Sequence, residues 1–435
     1  MASGVVSATA ERRQASISAP PRSDVLAYAA MVLVALALRL GYILVARTYQ
    51  ISAIHDHFGV GFEAGSIARS IVAGEGFASP FGGSTGPTAW LAPIYPYICA
   101  LAFKLLGTFT DASALALLAL NSVFSALTCV PICLIAKRVF GRSVALWSGW
   151  LWAVVPLFMR WPTTWIWEMS LSAFLLAWFF YLALKLGDDP DWRQWLGFGA
   201  LWGVAALTNP SLLSCLPFTL AWPAWRLRRS ARPCLRPAII AILACVVVIT
   251  PWLVRNRLVF GQFVFIRGNF GFEFHMGNFH TSNGMGWSGM HPTRNLREYE
   301  NYKRLGELAY LEEHQRAAMA FVRQYPGEFV RLNLKRFAIF WDGESLLYWR
   351  PHDGWRPWMF WPLSLLAACG VLLAFDRRIP EAWLFATVLL FYPTAYYISA
   401  PQVRYRHALE PLLLMLSVFL MSEFLQRVRR HARPA

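Results

Sequence analysis

The sequence from residue 55 to residue 107 reads HDHFGVGFEAGSIARSIVAGEGFASPFGGSTGPTAWLAPIYPYICALAFKLLG and lies between two long apolar segments. It concentrates two carboxylates, Asp56 and Glu63, two histidines, His55 and His57, and a turn region rich in Gly, Ser and Pro. The apolar segments offer few groups that move a proton. We therefore expect chemistry in this stretch rather than in the segments that flank it.

Within this stretch, GFEAGSIARSIVAGEG predicts a short helix, because small and apolar residues recur at helical spacing. Glu63, Ser66 and Ser70 fall on its other side, and Gly74 and Gly76 end it. A helix that lies flat at the membrane surface with Glu63 towards a cavity fits the pattern. A helix whose polar face simply meets water fits it equally well.

Composition indicates the class of protein. Hydrophobic residues make up 57% of the 435 residues, charged residues only 15%, and the mean hydropathy is +0.42. This leaves too little polar surface for a soluble globule, so we expect an all-α polytopic membrane protein. The net charge of +16 sits in short basic clusters between apolar spans, where it orients the chain and contacts lipid headgroups. No nucleic-acid partner is expected.

Hydropathy predicts about ten transmembrane helices and two extracytoplasmic loop regions. The predicted spans are residues 25–46, 112–136, 143–158, 165–185, 195–208, 211–225, 237–254, 355–375, 381–399 and 408–425.

The basic clusters set the orientation, since Lys and Arg favour the cytoplasmic side. They predict a cytoplasmic tail at residues 1–24, a core at 25–255 with an outer first loop at 47–111, an outer loop and helical cap at 256–354, further spans at 355–425 and a cytoplasmic tail at 426–435. For all these basic clusters to lie on the cytoplasmic side, the short proline-rich run 93–106 must not cross the membrane. We expect it to lie in the outer face or to dip into it.

The second outer segment begins with a loop rich in Gly and Asn and continues with helical spacing from 297 to 341, interrupted at Pro326 and Gly327. A helical hairpin over the outer opening is expected. Its histidines, His275, His280 and His291, match no compact metal-ligand spacing, so solvated or cavity-lining histidines are the better interpretation. The seven cysteines lie in or beside apolar spans, which argues against disulfides and a zinc site.

Charges at membrane depth are costly and mark functional positions. Arg39 lies near the middle of the first span, and Glu168 starts the span after the outer turn RWPTTW. Arg404 and Arg406 stand on the outer side, against the positive-inside rule, and forked guanidinium donors two residues apart suit a phosphate. The competing interpretation of Glu168 is an interfacial acid at a helix N-terminus, where the helix dipole favours it. The competing interpretation of Arg404 and Arg406 is that they anchor the chain to lipid headgroups.

The order of several motifs resembles the GT-C superfamily of integral-membrane glycosyltransferases, in the branch with protein O-mannosyltransferases and aminoarabinose transferases. The first match to the family is the helix with Pro93, Tyr95 and Pro96. The second is Glu168, on the span after the outer turn. The remaining motifs are TPWLVRNRLVFGQFVFIRGNFGFEFHMGN at 250–278, GELAYLEEHQRAAMAFVRQYPGEF at 306–329 and RYRHALEPLLLML at 404–416.

The resemblance implies transfer of a sugar from a polyprenyl-phosphate donor to a hydroxyl of a glycan, lipid or protein, with inversion, on the extracytoplasmic face of a bacterial inner membrane. The loop acid of the family falls near Val60 in this register, so either Asp56 or Glu63 takes its role as base. We favour Glu63, with Glu168 supporting the acceptor or a cation.

The same resemblance assigns the donor phosphate to Arg404 and Arg406 with Lys104 and Arg255, of which Arg255 also orders the long outer loop. It leaves open whether a divalent cation is needed. A flippase for lipid-linked sugars or another transporter also needs membrane charges and an outward cavity, but the sequence shows no internal repeat. A scaffold without catalysis leaves the acids and arginines on one face unexplained.

Overall fold

A computed structural model describes residues 21–50, 62–188, 191–286, 288–343 and 357–431 of the chain. In these residues the secondary structure is helical, apart from one antiparallel bridge between Ala78 and Pro87. The predicted all-α membrane architecture is confirmed.

The α-helices are α1 (Arg22–Ala46), α2 (Phe62–Val72), α3 (Ile94–Leu106), α4 (Asp111–Leu127), α5 (Cys129–Val139), α6 (Arg142–Val154), α7 (Pro156–Thr164), α8 (Met169–Leu186), α9 (Trp192–Thr208), α10 (Leu216–Arg229), α11 (Leu235–Phe260), α12 (Phe270–Gly277), α13 (Leu296–Leu305), α14 (Glu307–Gln324), α15 (Pro326–Asp342), α16 (Pro357–Asp376), α17 (Ala382–Phe391), α18 (Thr394–Ile398) and α19 (Glu410–His431). Short 3₁₀ helices cover Pro210–Cys215, Ser288–Met290 and Val403–Leu409.

Several helical stretches are long and apolar enough to cross a bilayer. Five such stretches occur in the described part of the chain: Arg22–Ala46, Asp111–Val139, Met169–Leu186, Leu235–Phe260 and Val403–Arg430. Shorter apolar helices are Ile94–Leu106, Phe360–Asp376 and Ala382–Ile398. The protein is an integral membrane protein, and the predicted count of about ten crossings stays a prediction.

Prolines break several predicted spans. The span predicted at 143–158 ends at Val154, and α7 starts anew at Pro156, which has no backbone N–H to continue the helix. Arg39 compensates for this break. It donates to the carbonyls of Trp152 at 3.0 Å and Ala153 at 3.1 Å, and to the hydroxyl of Ser125 at 3.0 Å. The predicted membrane charge is therefore buried and used to join α1 to α4 and α6.

Helices α9 and α11 approach each other closely because two glycines face the contact. A Cβ on Gly199 would lie 2.0 Å from the carbonyl oxygen of Ala241, and one on Gly203 would lie 2.5 Å from a side-chain carbon of Val248. Small residues four apart allow this packing within a membrane, where van der Waals contact drives helix association. Arg255 lies near the C-terminal end of α11, beyond this contact.

The first loop is fastened to the outer helices by Glu307. Its carboxylate accepts hydrogen bonds from the backbone N–H of Ala89 at 2.7 Å, from the hydroxyl of Tyr302 at 2.8 Å and from the hydroxyl of Thr88. The helical segment predicted at 297–341 consists of α13, α14 and α15, with breaks at Gly306 and before Pro326. Its position as a cap over an outer opening stays a prediction.

Candidate active site

Glu63 lies in the first turn of helix α2, and its side chain is mostly buried. The helix begins at Phe62 and ends at Val72, and Gly74 and Gly76 follow with positive φ, as the sequence predicts. The side chain of Glu63 keeps 15% of its surface exposed. Of the two acids proposed as base, Asp56 lies outside the described residues, as do His55 and His57.

A histidine from the second outer segment contacts Glu63. The Nε2 atom of His291 lies 3.1 Å from a carboxylate oxygen of Glu63. Burial alone would raise the pKa of Glu63, but the hydrogen bond and charge of His291 and the charge of Arg404 together hold this pKa below its ordinary value. Glu63 is therefore a carboxylate at neutral pH and can accept a proton.

Arg404 reaches the same region from the 3₁₀ helix Val403–Leu409. Its guanidinium carbon lies 4.9 Å from the ring centre of Trp167 and 5.1 Å from that of Trp165, so both indoles flank the cation. The buried Nε atom of Arg404 has no hydrogen-bond partner among the described residues. A buried donor without a partner is costly and is suited to an anionic ligand.

Arg406 points elsewhere, although it stands only two residues later. It is fully buried and donates to the carbonyls of Trp341 at 2.8 Å and Phe360 at 3.0 Å. In a 3₁₀ helix, residues two apart lie on different faces, which separates the two guanidinium groups. Arg406 therefore joins α15 and α16 and does not line the cavities described below.

Glu168 precedes α8 and lines one of the two cavities described below. Burial raises its pKa to about 7, against the opposing influence of its own backbone N–H and of the charges of Arg267 and Arg404. Near neutral pH it is present in both the protonated and the ionised form. It can therefore donate or accept a proton.

Two adjoining cavities bring these side chains together. The first has a volume of about 170 Å³ and the second about 290 Å³. Their common lining residues are Glu63, Trp167, Glu273, Arg404 and Tyr405. Glu168 and Arg267 line only the first cavity, whereas His291 and Trp165 line only the second.

The other two basic residues predicted at the donor phosphate lie away from these cavities. Lys104 is exposed on α3. Arg255 donates to the carbonyls of Phe77 at 2.8 Å and Thr88 at 2.7 Å, and so fastens the first loop to α11. The structure thus brings Glu63, Glu168 and Arg404 together and keeps Lys104, Arg255 and Arg406 apart from them.

Several lining residues were not singled out from the sequence. Arg267 donates to the carbonyl of Trp90 at 2.9 Å and lies 3.5 Å from the carboxylate of Glu273. Both residues belong to the stretch RGNFGFEFH, which is part of the motif at 250–278. The spacing of Arg267 and Glu273, six residues apart beside a predicted loop, could have indicated a polar site from the sequence. In the described part of the chain, no cluster of three His, Cys, Asp or Glu side chains could hold a metal ion.

Comparison with known protein families confirms the resemblance predicted from the sequence. Residues 90–254 match the family described as dolichyl-phosphate-mannose-protein mannosyltransferase. This match covers less than half of the chain. It includes Glu168 but neither Glu63 nor Arg404. No curated protein sequence matches the chain.

Several solved structures are similar to this chain at low sequence identity. The apo oligosaccharyltransferase of Archaeoglobus fulgidus is 12% identical, with a TM-score of 0.52 over 94% of this chain and 51% of that chain. A second structure of that archaeal enzyme, AglB with an inhibitory peptide and a dolichol-phosphate, is 13% identical, with a TM-score of 0.47 over 86% of this chain and 48% of that chain.

ArnT from Cupriavidus metallidurans bound to undecaprenyl phosphate is 14% identical, with a TM-score of 0.39 over 93% of this chain and 79% of that chain. The present chain spans about half the length of the archaeal enzyme. At these identities the likeness to the apo archaeal structure supports a common fold.

Proposed function

We propose that this protein is a membrane glycosyltransferase that moves a sugar from a polyprenyl-phosphate donor to a hydroxyl acceptor, with inversion at the anomeric carbon. One observation carries the proposal: the carboxylate of Glu63 and the guanidinium of Arg404 line the same two adjoining cavities. A base and a cation that line the same cavities are what this reaction requires.

The carboxylate of Glu63 supplies the base. The acceptor oxygen forms a bond to the anomeric carbon while the bond from that carbon to the phosphate oxygen breaks, and the electron pair leaves with the phosphate. Glu63 takes the proton of the acceptor hydroxyl. Its lowered pKa keeps it ionised at neutral pH, so that it is ready to accept this proton.

The cation that receives the leaving phosphate is Arg404, with Arg267 as the second guanidinium of the first cavity. Negative charge increases on the phosphate as the bond to the sugar breaks, and fixed donors stabilise that charge. The unpartnered Nε of Arg404 is available to a phosphate oxygen without the loss of an existing hydrogen bond. The remaining basic residues, Arg255 and Arg406, support the site through backbone carbonyls.

Glu168 lies in the first cavity with both guanidinium groups. With a pKa of about 7 it exchanges hydrogen bonds with a sugar hydroxyl more readily than a fully ionised acid would. We assign it to sugar orientation. The family matched by residues 90–254 is named for a dolichyl-phosphate-linked mannose, which supports a lipid-phosphate donor.

The acceptor is a glycan, lipid or protein hydroxyl, and the reaction takes place on the extracytoplasmic side of a plasma membrane, which for a bacterium is the inner membrane. The distribution of basic clusters supports this orientation. Cysteines introduced near Gly83 and Thr108, in a background without native cysteines, should both react with a membrane-impermeant thiol reagent from outside. Reaction of the second site only from the cytoplasmic side would reverse the assigned orientation.

The activity is tested on the purified chain in detergent with undecaprenyl-phosphate mannose labelled with tritium in the sugar. An envelope fraction of the source organism serves as acceptor. We expect labelled product and free undecaprenyl phosphate, both lost in Glu63→Gln and retained in Glu312→Gln, whose carboxylate lies on the surface of α14. In vesicles, movement of the intact labelled lipid across the bilayer without product would favour a flippase.

A further inference from the structure

The contact between Glu63 and His291 joins two distant parts of the chain. Glu63 belongs to α2 in the first loop, and His291 follows the 3₁₀ helix Ser288–Met290 in the second outer segment. Their side chains keep only 15% and 17% of their surfaces exposed, and both line the second cavity. The sequence resemblance supplies a loop acid but assigns no role to this histidine.

The surroundings of His291 determine which ring nitrogen carries the proton. The backbone N–H of Thr293 donates to Nδ1 at 3.4 Å, and the hydroxyl of Thr293 lies 2.7 Å from the same atom. A nitrogen that accepts from a backbone N–H carries no proton in the neutral ring. The proton of a neutral His291 is therefore on Nε2, which donates it to Glu63.

Aromatic rings fix the plane of the imidazole. The ring centres of Phe81 and Phe272 lie 5.4 Å and 5.7 Å from that of His291, at interplanar angles of 86° and 76°. Phe81 belongs to the first loop and Phe272 to α12. Because Thr293 and these rings restrict rotation, the hydrogen bond to Glu63 has a defined direction.

We propose that His291 is a positioning residue that holds one carboxylate oxygen of Glu63, so that the other oxygen faces the acceptor hydroxyl. This inference rests on the proposed function, in which Glu63 is the base. A carboxylate on a surface helix has several rotamers, and a donor that fixes one of them restricts the base to a productive orientation. Glu63 remains the group that takes the proton.

The charge environment of the pair gives a second consequence. The titratable and charged groups lining the two cavities with the pair are Glu168, Arg267, Glu273, Arg294, Tyr396, Arg404 and Tyr405. Burial favours the protonated form of Glu63, whereas His291 and Arg404 favour the carboxylate. Loss of the hydrogen bond from His291 should therefore make Glu63 protonate at a higher pH.

Two amide variants separate this role from simple packing. His291→Gln places an amide N–H close to the position of Nε2, where it still reaches Glu63. His291→Asn places its amide close to Nδ1, where it reaches Thr293 but not Glu63. The two variants differ by a single methylene group, so that a general effect of removing the imidazole is common to both.

The first measurement is a pH titration by infrared difference spectroscopy of the purified chain. The carboxyl band that is absent in Glu63→Gln reports the protonation of Glu63. We expect the wild-type midpoint in His291→Gln and a midpoint higher by roughly one to two pH units in His291→Asn, the value of a charge-assisted hydrogen bond. Equal midpoints in both variants, whether shifted or not, overturn the proposal.

The second measurement is the pH dependence of kcat/KM for undecaprenyl-phosphate mannose. The acidic limb of the profile should move to higher pH in His291→Asn and stay in place in His291→Gln, since the base acts in its ionised form. A loss of rate without movement of the limb would indicate packing only. If the wild-type chain transfers no sugar, the proposed function fails, and the infrared titration still decides whether His291 controls Glu63.

Discussion

Arg404 and Arg406 lie in one turn of the same 3₁₀ helix, but their side chains lie on different faces of it. On the cavity side, Arg404 lies between two indoles with an unpartnered Nε. On the core side, Arg406 donates to two backbone carbonyls, and the nearby His407 lies 2.6 Å from the carboxylate of Glu410. Among the described residues the Nε atoms of both arginines lack a hydrogen-bond partner, so an unused donor alone does not indicate a ligand site. The difference shows that a buried charge indicates such a site where its side chain also lines a cavity.

The first test compares one carboxylate from each side. Glu63→Gln should reduce turnover on the order of 10²–10⁴-fold with donor binding retained, because an amide keeps the shape of the carboxylate but accepts no proton. Glu410→Gln on the core side should lower the melting temperature and leave the turnover of the folded protein unchanged. The rate of donor consumption per folded molecule, measured beside a thermal melt, distinguishes the two outcomes.

Asp56 supplies the control for this assignment, since it is the other acid of the first loop. Normal turnover in Glu63→Gln together with a dead Asp56→Asn would move the base to Asp56. Normal turnover in both variants would remove the first loop from the chemistry.

The second test compares the two arginines directly. Arg404→Ala should lower kcat/KM for the lipid-phosphate donor about 10–100-fold, the equivalent of one charge-assisted hydrogen bond, and Arg404→Lys should recover part of the loss. Arg406→Ala should leave donor saturation unchanged and reduce the free energy of unfolding by about 2–3 kcal/mol, because two buried carbonyls lose their donor.

Initial rates over a range of donor concentrations, with Arg316→Ala on the exposed face of α14 as reference, measure these effects. Unchanged donor saturation and turnover in Arg404→Ala would make this arginine a headgroup anchor, and the phosphate site would move to Lys104 or Arg255.

The third test concerns the pH dependence of stability that Glu168 adds on the cavity side. Its pKa rises from an ordinary 4.5 to about 7 in the folded protein. Between these values the folded state keeps a proton that the unfolded state has released, so the free energy of unfolding falls as pH rises through this window. Glu168→Gln should remove this fall, on the order of 3 kcal/mol at most. Melting temperatures from pH 4 to pH 8 measure it, and parallel curves for wild type and variant would contradict it.

Much of the fold follows from local signals in the sequence. The helix carrying Glu63 and its glycine stop, the long apolar helices and the breaks at Pro326 and Gly306 depend on residues close in sequence. The break at Pro156 was missed because hydropathy does not register a missing N–H. The apolar run continues across it.

The site was less accessible to prediction because it depends on contacts between distant segments. The sequence indicated Glu63, Glu168 and Arg404 as polar residues at the outer boundary, but it did not separate Arg404 from Arg406. That separation depends on the 3₁₀ helix, which turns the two side chains to different faces. His291 reaches the second cavity through the fold of the segment after α11, and no periodicity in its own neighbourhood reveals it. For Arg267, the only local signal was its spacing from Glu273.

The close packing of α9 on α11 has a consequence for biogenesis. Gly199 and Gly203 meet residues that are all synthesised before residue 261, so this contact needs nothing from α12 to α19. A ribosome-bound chain that has emerged this far can already assemble the pair in the bilayer. Arg255 and its acceptors, the carbonyls of Phe77 and Thr88, also precede residue 261, so this contact needs no later helix either. The first loop would acquire its membrane anchor before the helices that later cover it exist.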